Sequence, residues 1–406
     1  MTSSRQAISF DNTEYAFAYK SDKELRQARL LFSTMGYGWL VKLGTRITPW
    51  AINLGLPVGW AVRNTIFKQF VGGETLEETA KVADKLEEFH VQVILDYGVE
   101  GKEGEENFDH ACEEFIRVIN YAATQHNIPF MSIKVTGFAR FGLLEKLHQA
   151  AKESETLQGK VATAALSEEE RGEWDRVVKR MEKIIAAAAG CNIGVLVDAE
   201  ETWIQDPVDA LTMCMMEKYN RQKVVLFNTI QLYRHDRLQF LKDSFLQAQA
   251  KNFTLGVKLV RGAYMEKERR RAGELGAHSP IQPDKASSDR DYNTAIEFCI
   301  NHLDNIYVII ASHNEQSNLL AAQQLQQKSL PLSHPHVHFS QLYGMSDNIT
   351  FNLAAAGCPV SKYLPFGPIR DVVPYLMRRA QENSSVSGQT GRELGLIQKE
   401  LKRRGS

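Results

Sequence analysis

Cysteine is sparse in this chain and forms no pattern. The five, Cys112, Cys191, Cys214, Cys299 and Cys358, are scattered and never spaced as CxxC, which argues against a disulfide framework and against a zinc or iron–sulfur site. A reducing compartment is expected. Long apolar runs are also missing. No window offers the ~18 to 20 uninterrupted apolar residues of a membrane span, and the N-terminus lacks the basic-then-apolar pattern of a signal or transit segment. The expectation is a cytoplasmic protein, soluble or peripheral on the inner membrane. Neither sign of charge dominates: the formal net charge is -1 and the sequence pI is near 6.8, so there is no electrostatic footprint for nucleic acid, although Lys399 to Arg404 is locally basic. GxGxxG and GxxxxGK are absent, which leaves a Rossmann or Walker reading without support.

What is present is a long alternation. Residues 1–30 are polar and weakly patterned. Leu31 to Phe70 is rich in apolar and aromatic residues (Tyr37, Trp39, Trp50, Trp60, Phe67), broken into short helices by Lys42, Arg46, Pro49, Pro57 and Arg63. We expect an N-terminal helical arm over residues 1–70 that packs on the main domain, with a membrane surface as the alternative. Helical spacing then leads into eight β-branched runs: Val91–Leu95, Met131–Gly137, Ile193–Val197, Val224–Ile230, Thr254–Val260, Tyr307–Ala311, His336–Gln341 and Pro359–Leu364. Helix-length sequence separates them. That is the signature of parallel βα units, and eight close a (β/α)8 barrel. The overlong connection Glu145–Gly190 holds a charged stretch, Leu166–Lys183, expected to be an inserted solvated helix without chemistry. The barrel is expected over residues 71–390, with a basic tail over 391–406.

In such a barrel the strands' C-terminal ends carry the chemistry. Asp96 and Glu100 follow the first run and Lys134 lies on the second. Asp198-Ala199-Glu200-Glu201 ends the third, and Gln231 and Tyr233 the fourth. The fifth gives Lys258 to Tyr264, the sixth Ser312-His313-Asn314, the seventh Leu342-Tyr343-Gly344 and the eighth Tyr363. Each has a bland reading, such as a paired buried lysine or a turn glycine, but together they describe an active site. One imidazole among lone carboxylates is a poor metal site. Lys134, Lys258 and Arg261 suit either a Schiff-base lysine, as in an aldolase, or a flavin, which needs cations and donors. A silent binding scaffold would need no such convergence. Beyond the eighth run, Pro365, Gly367 and Pro368 break the chain before a helix expected over 370–383, with Asp371 and Pro374 in its first turn. Its adjacent arginines, Arg378 and Arg379, stand about 100° apart around the axis, with Glu382 within a turn of each. Paired guanidinium groups suit a carboxylate.

Val257-Lys-Leu-Val-Arg-Gly-Ala-Tyr264, Asp198-Ala-Glu-Glu201, Ser312-His-Asn314 and the Tyr363–Asn383 block together resemble the proline dehydrogenase family from roughly Phe70 to the tail. The resemblance implies a distorted (β/α)8 barrel that binds FAD, with its last helix over the barrel mouth as a lid. It implies oxidation of L-proline to Δ1-pyrroline-5-carboxylate, electrons passing to a membrane quinone, and a separate pyrroline-5-carboxylate dehydrogenase as metabolic partner. By that resemblance Lys134, Arg378 and Arg379 hold the substrate carboxylate. Tyr264, Leu342, Tyr363 and Tyr375 wall the pyrrolidine ring, Glu100 latches Arg378, and Asp198 is an orienting active-site carboxylate. Gln231 and Lys258 fall near the isoalloxazine, and Ala199, Val260, Arg261, Gly262, Ala263, Ser312, His313, Asn314 and Glu382 along the rest of FAD. Lys258 and Met265 depart from the long bifunctional branch, which has arginine and tryptophan there, and a stand-alone enzyme without an aldehyde-dehydrogenase domain is expected. The resemblance also implies that a tyrosine at 363 accompanies proline as substrate, whereas hydroxyproline-oxidising relatives carry a smaller residue there.

Overall fold

The computed structural model describes residues 8–37, 62–98, 103–153, 163–385 and 387–406, with side chains outside 382–390. All eight expected strands form: β1 Gln92–Tyr97, β2 Phe130–Ile133, β3 Gly194–Val197, β4 Leu226–Gln231, β5 Leu255–Val260, β6 Ile306–Ala311, β7 Val337–Leu342 and β8 Val360–Phe366. They close a parallel barrel in sequence order. Strands apolar on both faces suit such a sheet, buried inside and out; Val93, Ile94 and Leu95 of β1 and Val195, Leu196 and Val197 of β3 are fully buried. Several strands outrun their apolar residues because backbone pairing continues: β1 and β8 stay in register through Asp96↔Pro365 and Tyr97↔Phe366. β2 instead stops at Ile133, and Val135–Gly137 turns as a 3-10 helix whose Gly137 N–H donates to the Lys134 carbonyl at 3.0 Å. Lys134 is therefore the residue between strand and turn, still in extended conformation.

The chain divides into two compact units, residues 100–339 and residues 1–99 with 340–406. Within the first unit, Phe130, Phe227, Tyr307 and His338 form an edge-to-face layer with centroids 5.0–6.3 Å apart. Gly194 makes room for it, since a Cβ there would lie 2.5 Å from the Phe130 ring. Burial drives the His338 pKa down to about 3, so the imidazole packs as a neutral ring. The helix Glu168–Cys191 corrects the expectation of a solvated insertion. Ser167 caps it in a reciprocal box with Glu170, and Trp174, Val177, Met181, Ile184 and Ile185 bury one face. Charge counting missed this because an amphipathic helix carries its charges on the other side.

In the second unit, polar residues 8–30 are not structureless. Thr13–Phe17 and Asp22–Met35 are helices, the latter started by a Ser21/Glu24 capping box. Phe17, Leu25, Phe32, Phe67 and Phe70 share an apolar cluster with Val372, Leu376, Leu396, Ile397 and Leu401. The expected basic tail is therefore a packed helix, Ser387–Arg403, and it, not the lid segment, is the last helix. Its basic ends are engaged: Arg403 and Arg404 pair with Glu400 at 2.9 and 2.7 Å, and Arg404 also with Asp22 at 3.1 Å. Most of the Trp-rich stretch lies outside the described residues. Among the described residues no helix is long and apolar enough to cross a membrane.

Candidate active site

The 100–339 unit brings three of the expected residues together. Asp198 leaves β3 with its N–H donated to the Ile133 carbonyl at 2.9 Å, which turns its carboxylate toward the ends of β2 and β5. There Lys134 lies 3.4 Å from Oδ2, and Lys258, buried on β5, contacts Oδ1. Two ammonium groups thus share one carboxylate where water is scarce and fields are strong. Beside them Glu200 accepts from the Thr136 hydroxyl at 2.7 Å. Burial pushes the Glu200 carboxyl up to about 7, with Lys134 and Thr136 opposing the shift. Gln231 is buried at the end of β4; its Nε2 donates to the Glu200 carbonyl at 2.9 Å, while Oε1 has no hydrogen-bond partner among the described residues. Ala199 is half-buried in the same turn.

A second cluster forms beyond β5 and β6. Arg261 donates to Asp289 at 2.8 Å, to the Ser312 hydroxyl at 2.8 Å and to the Ser317 hydroxyl at 3.0 Å, and its guanidinium stacks 4.3 Å from the Tyr292 centroid. Asn314 caps the Glu315–Gln327 helix by accepting from the Ser317 N–H at 3.0 Å. Gly262 adopts φ +139°, and a Cβ there would sit 2.3 Å from the Tyr233 ring. Val260, Arg261, Tyr264, His313 and Asn314 are half-buried, and Gly262 and Ala263 exposed. A fixed guanidinium, a helix N-terminus and a side-chain-free glycine form a donor set that can hold a phosphate closely. The unpartnered Gln231 oxygen can accept from the edge of a nitrogenous ring. These residues fit a flavin dinucleotide. Gly262→Ala is expected to destabilise the fold by about 1–3 kcal/mol through backbone strain alone, with Tyr233 displaced in addition. Chemical denaturation checks this, and an unchanged midpoint would contradict the close approach.

The other unit carries the remaining residues. Leu342 ends β7, Tyr363 lies half-buried on β8, and the Tyr343 N–H donates to the Tyr363 carbonyl at 2.9 Å. The helix after β8 runs Ile369–Ser385, anchored by Val372 and Leu376 in the apolar cluster. Pro374 falls inside it, beyond the expected first turn. Arg370 and Pro374 are both exposed, which places the proline on the outer side of the helix. The two arginines differ in surroundings: Arg378 is half-buried, whereas Arg379 is 6% exposed with its guanidinium 5.3 Å from the Tyr375 centroid. Tyr375 is half-buried. Glu100 lies outside the described residues, as does the Glu382 side chain. Sequence reasoning missed Thr136, Asp289 and Ser317. Thr136 and Ser317 lie within five residues of named positions, so asking what holds each charged residue in place could have found them.

Cationic groups and a carboxylate at the strand ends of a closed (β/α)8 barrel define a barrel enzyme. The family described as proline dehydrogenase matches residues 79–392. The chain belongs to that family of oxidoreductases. It is 33% identical over 384 residues to the mitochondrial proline dehydrogenase 1 of Dictyostelium discoideum, covering 87% of this chain and 67% of that one. It is 38% identical over 335 residues to a carbapenem antibiotics biosynthesis protein of Pectobacterium carotovorum subsp. carotovorum, covering 82% and 83%. With the hydroxyproline dehydrogenase of Xenopus laevis it shares 31% identity over 425 residues, covering 98% and 90%. Among solved structures, proline utilization A from Bdellovibrio bacteriovorus inactivated by N-propargylglycine superposes with a TM-score of 0.72 at 18% identity, covering 95% of this chain. This chain spans 43% of that one, and the likeness concerns the fold.

Proposed function

We propose that the protein oxidises L-proline to Δ1-pyrroline-5-carboxylate. FAD is the bound redox group and a membrane quinone the final electron acceptor, and a separate dehydrogenase consumes the product. The observation that carries this reading, beside family membership, is the Lys134–Asp198–Lys258 cluster, in which two cations share one carboxylate. A Schiff-base lysine attacks a carbonyl as the free amine; it is family membership that favours the dehydrogenase over the aldolase reading.

The substrate must lose a hydride from the ring carbon next to nitrogen and a proton from that nitrogen. FAD supplies the hydride acceptor. Lys134, Arg378 and Arg379 bind the substrate carboxylate and orient the ring. The positive field of Lys134 and Lys258 lowers the pKa of the substrate ammonium and so favours the neutral amine, whose lone pair assists hydride departure. Asp198 holds the two lysines in place. Tyr264, Leu342, Tyr363 and Tyr375 wall the ring and exclude water. Gln231 would meet the flavin ring, and Arg261, Gly262 and Ser312 with their neighbours would hold the remainder of FAD.

The name of the Xenopus laevis relative favours a second reading, oxidation of hydroxyproline, and Tyr363 discriminates between the two. An aromatic ring against the pyrrolidine leaves no room for a ring hydroxyl, and burying that hydroxyl without a partner costs about 1–3 kcal/mol. The wild type is therefore expected to prefer L-proline. Tyr363→Ser should lose activity on L-proline and gain relative activity on trans-4-hydroxy-L-proline. The ratio of kcat/KM for the two substrates, measured in both proteins with one dye acceptor, is the test. A wild type that prefers hydroxyproline reverses the substrate assignment, and a ratio unmoved by the substitution removes Tyr363 from the ring wall.

A further inference from the structure

Outside these sites the 1–99/340–406 unit buries a second set of charges. Lys362 on β8 is 0% exposed, yet ends in an ammonium group. It lies 2.9 Å from Asp347 Oδ1 and donates to the Met345 carbonyl at 2.6 Å and the Leu342 carbonyl at 3.4 Å. Asp347 is also buried; its Oδ2 accepts from Tyr19 at 2.8 Å and lies 3.0 Å from Lys20. From the Ser387–Arg403 helix the buried Glu393 accepts the Ser346 N–H. Every one of these contacts lands on the turn Leu342–Asp347 or on β8 beside Tyr363. That turn is otherwise pinned by Gly344, at φ +78°, whose carbonyl accepts from Gln69 at 2.7 Å. Replacing a buried ion pair by apolar residues is commonly neutral or stabilising, so stability alone does not explain placing several charges here.

We propose that Lys362, Asp347 and Glu393 are positioning residues for the substrate-ring wall: they fix the ends of β7 and β8, and with them Leu342 and Tyr363, so that the C-terminal helix belongs functionally to the substrate site. The proposal rests on the reading of Leu342 and Tyr363 as ring-wall residues. Lys20 and Lys362 carry two positive charges and Asp347 one negative, and an ionised Glu393 brings the set to neutrality. An ionised carboxylate also accepts the Ser346 N–H more strongly than a neutral one, so the turn is held most firmly with Glu393 ionised. The groups that face Glu393 and its partners are Tyr19 and Lys20 at the N-terminal helices, Glu24 with its partner Lys85, Tyr343 and Asp347 of the turn, and Lys362 of β8. Burial first, then Asp347, pushes the Glu393 carboxyl up to about 7, against the Ser346 N–H and the two lysines. The switch between the two states therefore falls near neutrality.

Glu393→Gln tests this, with KM and kcat for L-proline measured from about pH 6 to 8.5 beside the wild type. Taking the ratio of the two KM values cancels the ionisation of the substrate itself. The variant-to-wild-type KM ratio should be near one at the acid end and rise about fivefold at the alkaline end, with kcat changed by less than about twofold. Thermal midpoints should move the opposite way. The raised carboxyl makes wild-type stability fall as pH rises from its unfolded value toward 7, a loss that glutamine does not share. A merely structural role would move KM and stability together. Lys362→Met should raise KM about tenfold at every pH with kcat retained; should it fail to fold, the glutamine variant still decides. A flat KM ratio overturns the proposal. A wild type inactive on L-proline but active on another substrate defeats the functional reading, and the same ratio is then taken with that substrate.

Discussion

Arg379→Met is expected to lower kcat/KM for L-proline by about two to four orders of magnitude, mainly through KM, with the flavin content unchanged. Arg379 is 6% exposed on a helix whose Val372 and Leu376 are locked in the apolar cluster. Its guanidinium has little freedom, lying 5.3 Å from the Tyr375 centroid, and a preorganised, desolvated cation binds a carboxylate far more strongly than an exposed one. Methionine keeps the length and apolar volume of the side chain, so the helix should stay docked and the loss should report charge. Steady-state kinetics across L-proline concentration, with the absorbance ratio of flavin to protein, separates the outcomes. An unchanged KM would remove the carboxylate-binding role. A lost flavin would mean that the helix itself had moved.

Asp198→Ala is expected to act on both stability and chemistry. Its carboxylate lies 3.4 Å from Lys134 and in contact with Lys258, and the Lys258 side chain is only 7% exposed. Removing one partner of a buried ion pair leaves an uncompensated charge, at a cost of about 3–5 kcal/mol. Its loss removes the carboxylate that both lysines contact in their functional positions. Turnover should fall by at least about two orders of magnitude, since misplaced cations no longer favour the neutral amine or the negative charge that develops on the acceptor. Denaturant midpoints and single-turnover kinetics check the two effects separately. A variant that kept wild-type stability would show that the cluster is less dry than its geometry implies, and one that kept wild-type turnover would remove Asp198 from the site.

The barrel was legible because eight short runs, several of them apolar on both faces as in Val91–Leu95 and Ile193–Val197, recur at helix-length spacing and carry a local signal that closure does not alter. Boundaries were not, since pairing of Asp96 with Pro365 or Tyr97 with Phe366 depends on the neighbouring strand and not on the residues themselves. Residues at strand ends could be named from position alone, and Lys134, Asp198 and Lys258 do meet. What position could not supply was the supporting set. Nothing local indicates that Arg261 is held by Asp289 and Ser317, or that Lys362 on a barrel strand reaches Asp347 and, through it, Lys20. The charged stretch Leu166–Lys183 and the basic tail at 391–406 hid packed helices for a shared reason. Charge density describes the solvated side of a helix, whereas the spacing of Trp174, Val177, Met181 and Ile184, or of Leu396, Ile397 and Leu401, describes the side that packs.

The most direct test is the anaerobic visible spectrum of the purified protein before and after L-proline. The account predicts flavin absorption bands in the resting protein that bleach on addition of L-proline, with recovery when a quinone is supplied. A protein without a visible chromophore, or one whose flavin is not reduced by L-proline while borohydride traps a lysine adduct of a carbonyl substrate, would contradict it.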